Sequence, residues 1–315
     1  MELICQNIML NKIRKTLVLL TALIFLGSLT GCGKDGEPEI VLQEEEEENE
    51  TQTAEEEEET LEETPTEKPV TMSQLIGNSG NDSNSSAEEE ESLPETVLWF
   101  NATYAPLTYS NAGNWRLVGG LKPTESNKEL VQFLLLRDWG IEDRDSALET
   151  VESLKENGHR KKCRDCMEEL SQMELLDLEE EAFFQELTDS GIEDYLFRYI
   201  IAYYMYREGM DADYIAAWDL CRVNQLYGDF YICGYMTYEE AMEASYDNSL
   251  ILQEMYSSWD EMVNAYMMGY QFWKNDPALS DDSPTLERYR YYEMLLQLDD
   301  GPYTLDWNMD LEKSW

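Results

Sequence analysis

The chain has 315 residues, with 67 acidic residues against 22 Lys and Arg, and its formal net charge at pH 7 is −45. Such a charge repels nucleic acids and anionic lipid headgroups, which excludes both as partners of the protein body and leaves cations or basic proteins. Hydrophobic residues make up 43% of the chain, and one core can serve up to about 250 residues, so one domain is expected after the acidic N-terminal segment.

The first residues have the layout of a secretory signal. Basic residues precede an apolar run at residues 16–29, which is shorter than the roughly 20 residues of a transmembrane helix. The run ends in LTGC, with Cys32 as its last residue, and this motif resembles the lipobox of bacterial lipoproteins. The resemblance implies cleavage before Cys32 and a diacylglyceryl thioether with palmitate-type chains on its sulfur. Residues 1–31 are therefore predicted to be a lipoprotein signal peptide; the alternative is an uncleaved membrane segment.

Residues 32–93 are predicted to be a lipid-anchored, disordered tether. Glutamate blocks at residues 44–48, 55–59 and 88–91 are separated by small and polar residues. A segment with high charge and low hydrophobicity cannot bury enough apolar surface to offset its chain entropy. The tether would hold the domain off the extracytoplasmic face of the cell membrane. The alternative, a calcium or polycation sink, lacks the ligand spacing of an EF-hand.

Residues 94–315 are predicted to form a compact all-α domain, because helix start and stop signals recur and strand-like alternation is almost absent. Within it, residues 99–121 are expected to be a short helix followed by a turn-rich loop. The predicted helix starts are Ser126, Asp143, Cys163, Leu175, Ile192, Thr237, Ser258 and Ser283 with Pro284. The predicted ends are Gly140, Gly158, Met173, Leu187 and Arg207 for the first five of these helices and Leu298 for the last, and Gly234 ends the central helix described next.

A central helix is predicted within residues 211–235, because apolar residues occupy two opposite sides of its helical wheel. A helix of this kind is buried on both sides. Asp219 and Arg222 are three residues apart in it and within side-chain reach of each other. We expect a largely buried ion pair that orders the core, with catalysis as the alternative role.

Several spaced motifs accompany this helix. They are Trp139-Gly140-Ile141 with Asp143-Arg144, Gly158-His159-Arg160, Ala217-Trp218-Asp219 with Arg222, Tyr238-Glu239-Glu240-Ala241, Ser258-Trp259 with Glu261, and Gly269 before Phe272-Trp273. Together they resemble the bacterial domain-of-unknown-function family 1266 over roughly residues 99–273, most closely over residues 218–273. The resemblance implies one shared domain and no particular activity, cofactor or ligand. The lipobox, the tether and the Cys163–Cys166 pair depart from it.

His159 is the only histidine in the chain, and histidine is the residue type that changes charge near neutral pH. A catalytic triad would join it to Ser257 or Ser258, but no nucleophile-elbow glycine pattern surrounds either serine. The favoured interpretation is structural: His159 lies just past a helix end, at the negative pole of the helix dipole.

Cys163 and Cys166 follow His159 at helical spacing and allow three interpretations. A disulfide fits an exported protein, since cysteines three apart on a helix approach bridging distance. Free thiols are the second state. Zinc bound by His159, both cysteines and a carboxylate is the third, but no second cysteine pair lies at a matching distance. We expect no metal. Cys221 and Cys233, twelve residues apart in one helix, would lie ~18 Å apart and cannot bridge.

Two surface features have competing explanations. The first is a basic cluster, which could bind phosphate, a cell-wall polymer or the glutamate tether and lower the pKa of Cys163, or be a plain solvated helix face. It comprises Arg160, Lys161, Lys162 and Arg164. The second is an aromatic helix, which is expected to be mostly core, with a surplus that could form a contact surface. It carries Tyr195, Tyr199, Tyr203, Tyr204 and Tyr206.

These observations predict a membrane-anchored lipoprotein whose helical domain is a non-enzymatic binding module for a protein or cell-wall partner. The first alternative is a hydrolase or transferase that uses acidic side chains with Arg222. The second is an immunity-type protective lipoprotein. Asp219, Arg222, His159 and Glu261 are the candidate catalytic residues, and their convergence on an open pocket would favour an enzyme. A convex, tyrosine-rich surface would favour a protein partner. No cofactor is expected.

Overall fold

The computed structural model describes residues 92–192, 195–278, 280 and 282–315. The predicted signal peptide, the predicted lipidation site Cys32 and the tether up to residue 91 lie outside the described residues. No described helix has both the length and the apolarity to cross a membrane. All regular structure in the described residues is helical, which confirms the predicted all-α class.

The helices follow one another with short connections. In chain order they are α1 (Glu95–Thr103), α2 (Ala105–Ser110), α3 (Glu125–Trp139), α4 (Arg144–Glu156), α5 (Gly158–Gln172), α6 (Glu180–Asp189), α7 (Leu196–Arg207), α8 (Ala216–Cys233), α9 (Tyr238–Met255), α10 (Trp259–Lys274) and α11 (Pro284–Leu296). Short 3₁₀ segments occur at Val118–Gly120, Ala212–Ile215 and Pro302–Thr304.

Helix α8 is the predicted central helix, and it lies in the middle of the main core. Every residue of α8 except Gln225, Asp229 and Tyr231 is buried. The helix packs chiefly against α9 and α10, and also against α3, α4 and α5. Because both of its sides are apolar, both must be covered by other helices. The structure thereby confirms a compact multi-helix domain around a buried central helix.

Local capping chemistry explains most helix ends. Thr237 and Glu240 form a reciprocal capping box at the start of α9, as predicted. Ser258 accepts a hydrogen bond from the Glu261 amide at the start of α10. Gly234 ends α8 in the left-handed region, at φ 83°. These three signals act within four residues, and the structure confirms them.

One predicted cap was wrong. The start of α3 is capped by Thr124, whose hydroxyl accepts from the Asn127 amide at 3.3 Å, and Ser126 lies inside the first turn. Thr124 has the extended backbone conformation that a cap residue needs, with φ −91° and ψ 158°. Backbone geometry therefore places the cap two residues before the predicted one.

Several further predicted boundaries differ from the structure. Helix α5 begins five residues earlier than predicted because it is capped by a residue distant in the chain, as described below. The predicted helix from Leu175 begins only at Glu180, since Leu175 and Leu176 are buried in the preceding turn. Other differences are the end of α6, at Asp189 and not Leu187, the start of α7, at Leu196 and not Ile192, and the end of α11, at Leu296 and not Leu298.

A second hydrophobic cluster lies between α5, α6 and α7. Phe183 and Tyr203 stack there with their ring centroids 3.7 Å apart. The predicted tyrosine stripe divides between two environments. Tyr203 and Tyr204 are buried in this cluster, whereas Tyr195 and Tyr206 are exposed. The aromatic helix is therefore partly core and partly surface.

Candidate functional site

A cleft of about 530 Å³ opens above α8. Its floor is the face of α8 that carries Trp218, Arg222 and Asp229. The end of α3 forms one wall, and α2 with α11 forms another. The last turn of α10 closes one end with Trp273. Concave sites with several aromatic side chains and a few polar groups are typical small-molecule sites.

The predicted pair of Asp219 and Arg222 lies at the base of this cleft. The Nη2 atom of Arg222 donates to Asp219 Oδ1 at 2.9 Å, and its Nε atom donates to the Trp218 carbonyl oxygen at 2.9 Å. The Asp219 side chain has no solvent exposure and the Arg222 side chain is 7% exposed. Burial lowers the pKa of Arg222, and the Asp219 charge acts in the opposite direction. Each charge therefore depends on the other for compensation.

Asp219 has a second role that involves the first turn of α5. Its carboxylate accepts from the His159 amide at 3.0 and 3.1 Å, and from the Arg160 amide at 3.4 Å. The amide groups at a helix N-terminus have no intrahelical partner and favour a negative charge. Asp219 thus supplies the cap of α5 from sixty residues further along the chain.

Gly158 makes this capping contact possible. Its φ is +52°, and an added Cβ would lie 2.7 Å from Asp219 Oδ1 and closer still to Oδ2. No side chain fits between the helix start and the carboxylate. Contrary to the prediction, Gly158 is not the end of α4, because that helix already ends at Glu156, with Asn157 as its C-cap residue.

The predicted position of His159 was consequently wrong. His159 lies in the first turn of α5, near the positive pole of that helix, and not at the negative pole of the preceding one. Its Nδ1 is 3.0 Å from Arg222 Nη2. A guanidinium only donates, so this contact is a hydrogen bond in the tautomer whose Nδ1 accepts. The ring also packs edge-on against Trp218 and Trp273, with centroids 6.4 and 6.2 Å away.

The basic residues that line the cleft differ in how they are compensated. Arg137 forms an ion pair with Asp138 at 2.6 Å, and Arg222 is paired with Asp219. Arg288 donates to the Tyr266 hydroxyl at 2.8 Å and lies over the ring of Tyr270. Lys274 lies over the Trp273 ring. Neither Arg288 nor Lys274 is ion-paired with a carboxylate in the part of the chain that the structure describes.

Asp229 also lines the cleft, although it was not among the predicted site residues. It lines the cleft two turns beyond Arg222, and Gln225 donates to its Oδ1 at 3.0 Å. Desolvation by burial raises the pKa of Asp229 to about 7, and the Gln225 hydrogen bond opposes the shift. A signal was present in the sequence, since residues 222, 225 and 229 share one face of a helix. Arg288 and Trp139, which also line the cleft, had no such signal.

Glu261 does not belong to this site. Its carboxylate accepts from the Ser257 amide at 2.8 Å and from the Ser257 hydroxyl at 2.5 Å, so it closes the turn before α10. Neither Ser257 nor Ser258 lines the cleft that contains His159. The structure therefore brings together Asp219, Arg222 and His159, but not the fourth candidate or the serines of a triad.

Cys163 and Cys166 are free, buried thiols in the structure, and Cys221 and Cys233 are free as well. The Cys163 sulfur lies 3.8 Å from the Met205 sulfur. The predicted lowering of the Cys163 pKa was wrong, because burial raises it and the Arg164 charge only partly opposes that effect. No group of three or more potential metal ligands of the His, Cys, Asp and Glu types occurs within the described residues.

The basic cluster that precedes these cysteines is divided among internal partners. Arg160 is buried, and its guanidinium donates to the Lys155 carbonyl oxygen. Arg164 is paired with Asp213 at 3.0 Å, and Lys161 with Asp165 at 2.9 Å. Lys162 lies over the ring of Tyr195. Local carboxylates therefore compensate much of this charge, which favours the solvated-face explanation over an anion site.

A family model described as "Protein of unknown function (DUF1266)" matches residues 134–307. The match begins in α3 and extends past α11, so it starts later and ends later than the resemblance seen in the sequence. It includes His159, Asp219, Arg222, Asp229 and Arg288. No curated protein and no solved structure matches the chain.

Proposed function

The chain belongs to the DUF1266 family, a family of unknown function, and from this premise we propose that it is a binding module whose cleft holds a small anionic ligand. One observation carries the proposal. Arg288 and Lys274 line an aromatic cleft without a carboxylate partner among the described residues, in a chain with a net charge of −45. Two uncompensated cations in so acidic a protein offer the natural place for an anion.

The surroundings of Arg288 support this proposal. Its guanidinium is held by the Tyr266 hydroxyl at one nitrogen and by the Tyr270 ring, 4.5 Å away, at its face. A guanidinium has five N–H donors, so donors remain for a carboxylate or phosphate. The contacts fix the side chain in advance and reduce the entropy lost on binding. Trp218 and Trp273, with centroids 5.5 Å apart, add apolar surface for the rest of the ligand.

We expect Arg288→Met to weaken the binding of 2-naphthoate, a planar aromatic carboxylate, about tenfold. Loss of one charge-assisted contact of roughly 1.5 kcal/mol corresponds to that factor. Isothermal titration calorimetry on the full chain measures it. Arg116→Met is the control, because Arg116 is paired with Asp300 outside the cleft, and its affinity should equal that of the parent. Equal affinities in the parent and Arg288→Met would contradict the proposal.

We further propose that a lipid on Cys32 anchors this module to the extracytoplasmic face of the cell membrane. The support is the LTGC motif after a short apolar run that basic residues precede. Two or three acyl chains on one cysteine, at about 0.8 kcal/mol per buried CH₂, form a firm anchor. The module would then meet its ligand, or a protein or cell-wall partner, outside the cytoplasm.

The anchor is tested by Cys32→Ala in a bacterial host that processes lipoproteins. This variant should stay unprocessed or leave the membrane fraction, because the thiol that receives the lipid is gone. Cys5→Ala is the matched control and should be processed and labelled with palmitate like the parent. A Cys32→Ala protein that is still cleaved and labelled would refute the assignment.

A hydrolase or transferase is the second candidate, and one observation favours it. Asp219, Arg222 and His159 do converge beside an open cleft. However, both oxygens of Asp219 already accept hydrogen bonds from the start of α5, and Oδ1 also accepts from Arg222. A carboxylate that accepts all these hydrogen bonds is better suited to stabilise the fold than to transfer protons. The pair therefore supports the binding function more than catalysis.

A further inference from the structure

The chemical character of the cleft floor changes from one end to the other. Trp218, Arg222, Gln225 and Asp229 line it in order along α8. At 1.5 Å per residue, the level of Asp229 lies ~10 Å from that of Arg222 and ~16 Å from that of Trp218. Opposite chemistries occupy the two ends, so the cleft is electrically polarised along its length.

The cationic end surrounds Trp218. Tyr266 and Tyr270 pack on Trp218 with centroids 5.2 and 5.3 Å away, and Arg288 contacts both tyrosines. Lys274 is in the last turn of α10, beside Trp273. These contacts place both uncompensated cations at the end of the cleft that is far from Asp229.

At the opposite end, the Asp229 carboxyl group forms no ion pair with any residue that the structure describes. Asp229 accepts from Gln225, whose amide also donates weakly to the Gly119 carbonyl oxygen at 3.3 Å. Tyr104 and Cys233 are the titratable groups that interact with Asp229, and burial raises the pKa of both, so both are neutral. A partly buried carboxylate without a positive partner is poorly solvated, and desolvation raises the pKa of Asp229 to about 7 for that reason. A ligand ammonium would supply the missing charge.

We infer that the ligand is a short peptide with free termini, whose carboxylate meets Arg288 and Lys274 and whose ammonium meets Asp229. This inference rests on the proposed binding function. An extended chain spans at most ~3.6 Å per residue, so three residues cover ~10 Å, and the side chains of Arg288 and Asp229 shorten the remaining gap. A ligand with only a negative charge would leave the charge of Asp229 without a partner. A ligand with only a positive charge would leave the charge of Arg288 without one.

In the free protein, the charged Asp229 carboxylate lowers the stability of the fold. Binding of a ligand ammonium would remove this destabilisation. Its pKa is raised above the ordinary value near 4, so the folded state binds a proton more tightly than the unfolded state does. Stability is therefore lost as the pH rises from about 4 to 7. Asp229→Asn should melt at a higher temperature than the parent at pH 8. The variant remains folded, which makes it suitable for binding measurements.

The test uses the tripeptide alanyl-phenylalanyl-alanine in three forms: with free termini, N-acetylated, and C-amidated. Calorimetry on the full chain should show that acetylation weakens binding at least tenfold in the parent and has no effect in Asp229→Asn. Amidation should weaken binding in the parent, and it should weaken binding less in Arg288→Met, where only Lys274 remains to meet the carboxylate. Asp165→Asn is the control outside the cleft, since Asp165 is paired with Lys161 there, and acetylation should weaken its binding as in the parent.

The outcomes separate the two proposals. If the acetylated peptide binds as tightly as the free one, or if no peptide binds while 2-naphthoate still depends on Arg288, the peptide inference is overturned and the anion-binding function stands. If 2-naphthoate binding is also insensitive to Arg288→Met, both are overturned. If acetylation weakens binding equally in the parent and in Asp229→Asn, the ammonium site lies elsewhere and the inference fails.

Discussion

Asp219→Asn is expected to lower the free energy of unfolding by about 3 to 5 kcal/mol, the range for removing one partner of a buried ion pair. The loss has two physical sources. Arg222 keeps its charge in a buried setting with no carboxylate to compensate it, and the amides of His159 and Arg160 lose the anionic cap of α5. Equilibrium melts in denaturant measure the change. Arg144→Met is the control, because the Arg144–Glu240 pair is exposed and should contribute far less.

A double-mutant cycle isolates the interaction between Asp219 and Arg222. Arg222→Met alone should destabilise by a similar amount, and the double variant should lose much less than the sum of the two. A cost of about 1 kcal/mol should remain in the double variant, since the α5 cap is weakened even when both charges are gone. Single variants that melt like the parent would show that the pair is not a core element. The enzyme function would then become the leading proposal.

Gly158→Ala is expected to have the next largest effect, a loss of about 3 kcal/mol or more. An alanine at a positive φ costs roughly 1 kcal/mol by itself. The larger part comes from overlap of the new Cβ with the Asp219 carboxylate, which must move and thereby break the cap of α5 and the contact with Arg222. Forced shifts of this kind in a packed core cost 1 to 3 kcal/mol or more.

Gly140→Ala is the matched control for Gly158→Ala. Gly140 also has a positive φ, +66°, but an added Cβ meets nothing within 4 Å. It should lose only the conformational part, about 1 kcal/mol. In an Asp219→Ala background, which vacates the space, Gly158→Ala should lose no more than Gly140→Ala does. Equal losses for the two glycine variants in the parent would contradict the proposed contact.

Several features of this fold depend on local interactions and could therefore be predicted from the sequence. Cap residues such as Thr237 and Ser258 act on amides within three positions, so their effect is independent of the fold. The burial of α8 followed from its two apolar sides, and the pairing of Asp219 with Arg222 followed from their spacing of three. The all-α class and the central helix needed no knowledge of which helices are neighbours.

Only the tertiary structure determines which side chains of one helix contact another helix. Asp219 caps the start of α5 from sixty positions further along the chain. Because of this contact, His159 lies at a helix N-terminus and not, as predicted, at a helix C-terminus. Glu261, equally plausible in the sequence, was used for a turn. Neither result could be derived locally, because any acid can cap a helix and only the packing of α8 on α5 selects which one does.

The cleft is the clearest case of the same limit. Sequence periodicity places Arg222 and Asp229 on one face of α8, but it does not show that α3, α2 and α11 leave that face uncovered. Arg288, 59 positions beyond Asp229, enters the cleft from another helix. Periodicity is a property of one helix and determines which side is apolar. A concave site is a property of several helices, and it depends on their crossing angles and on the volumes of the side chains between them.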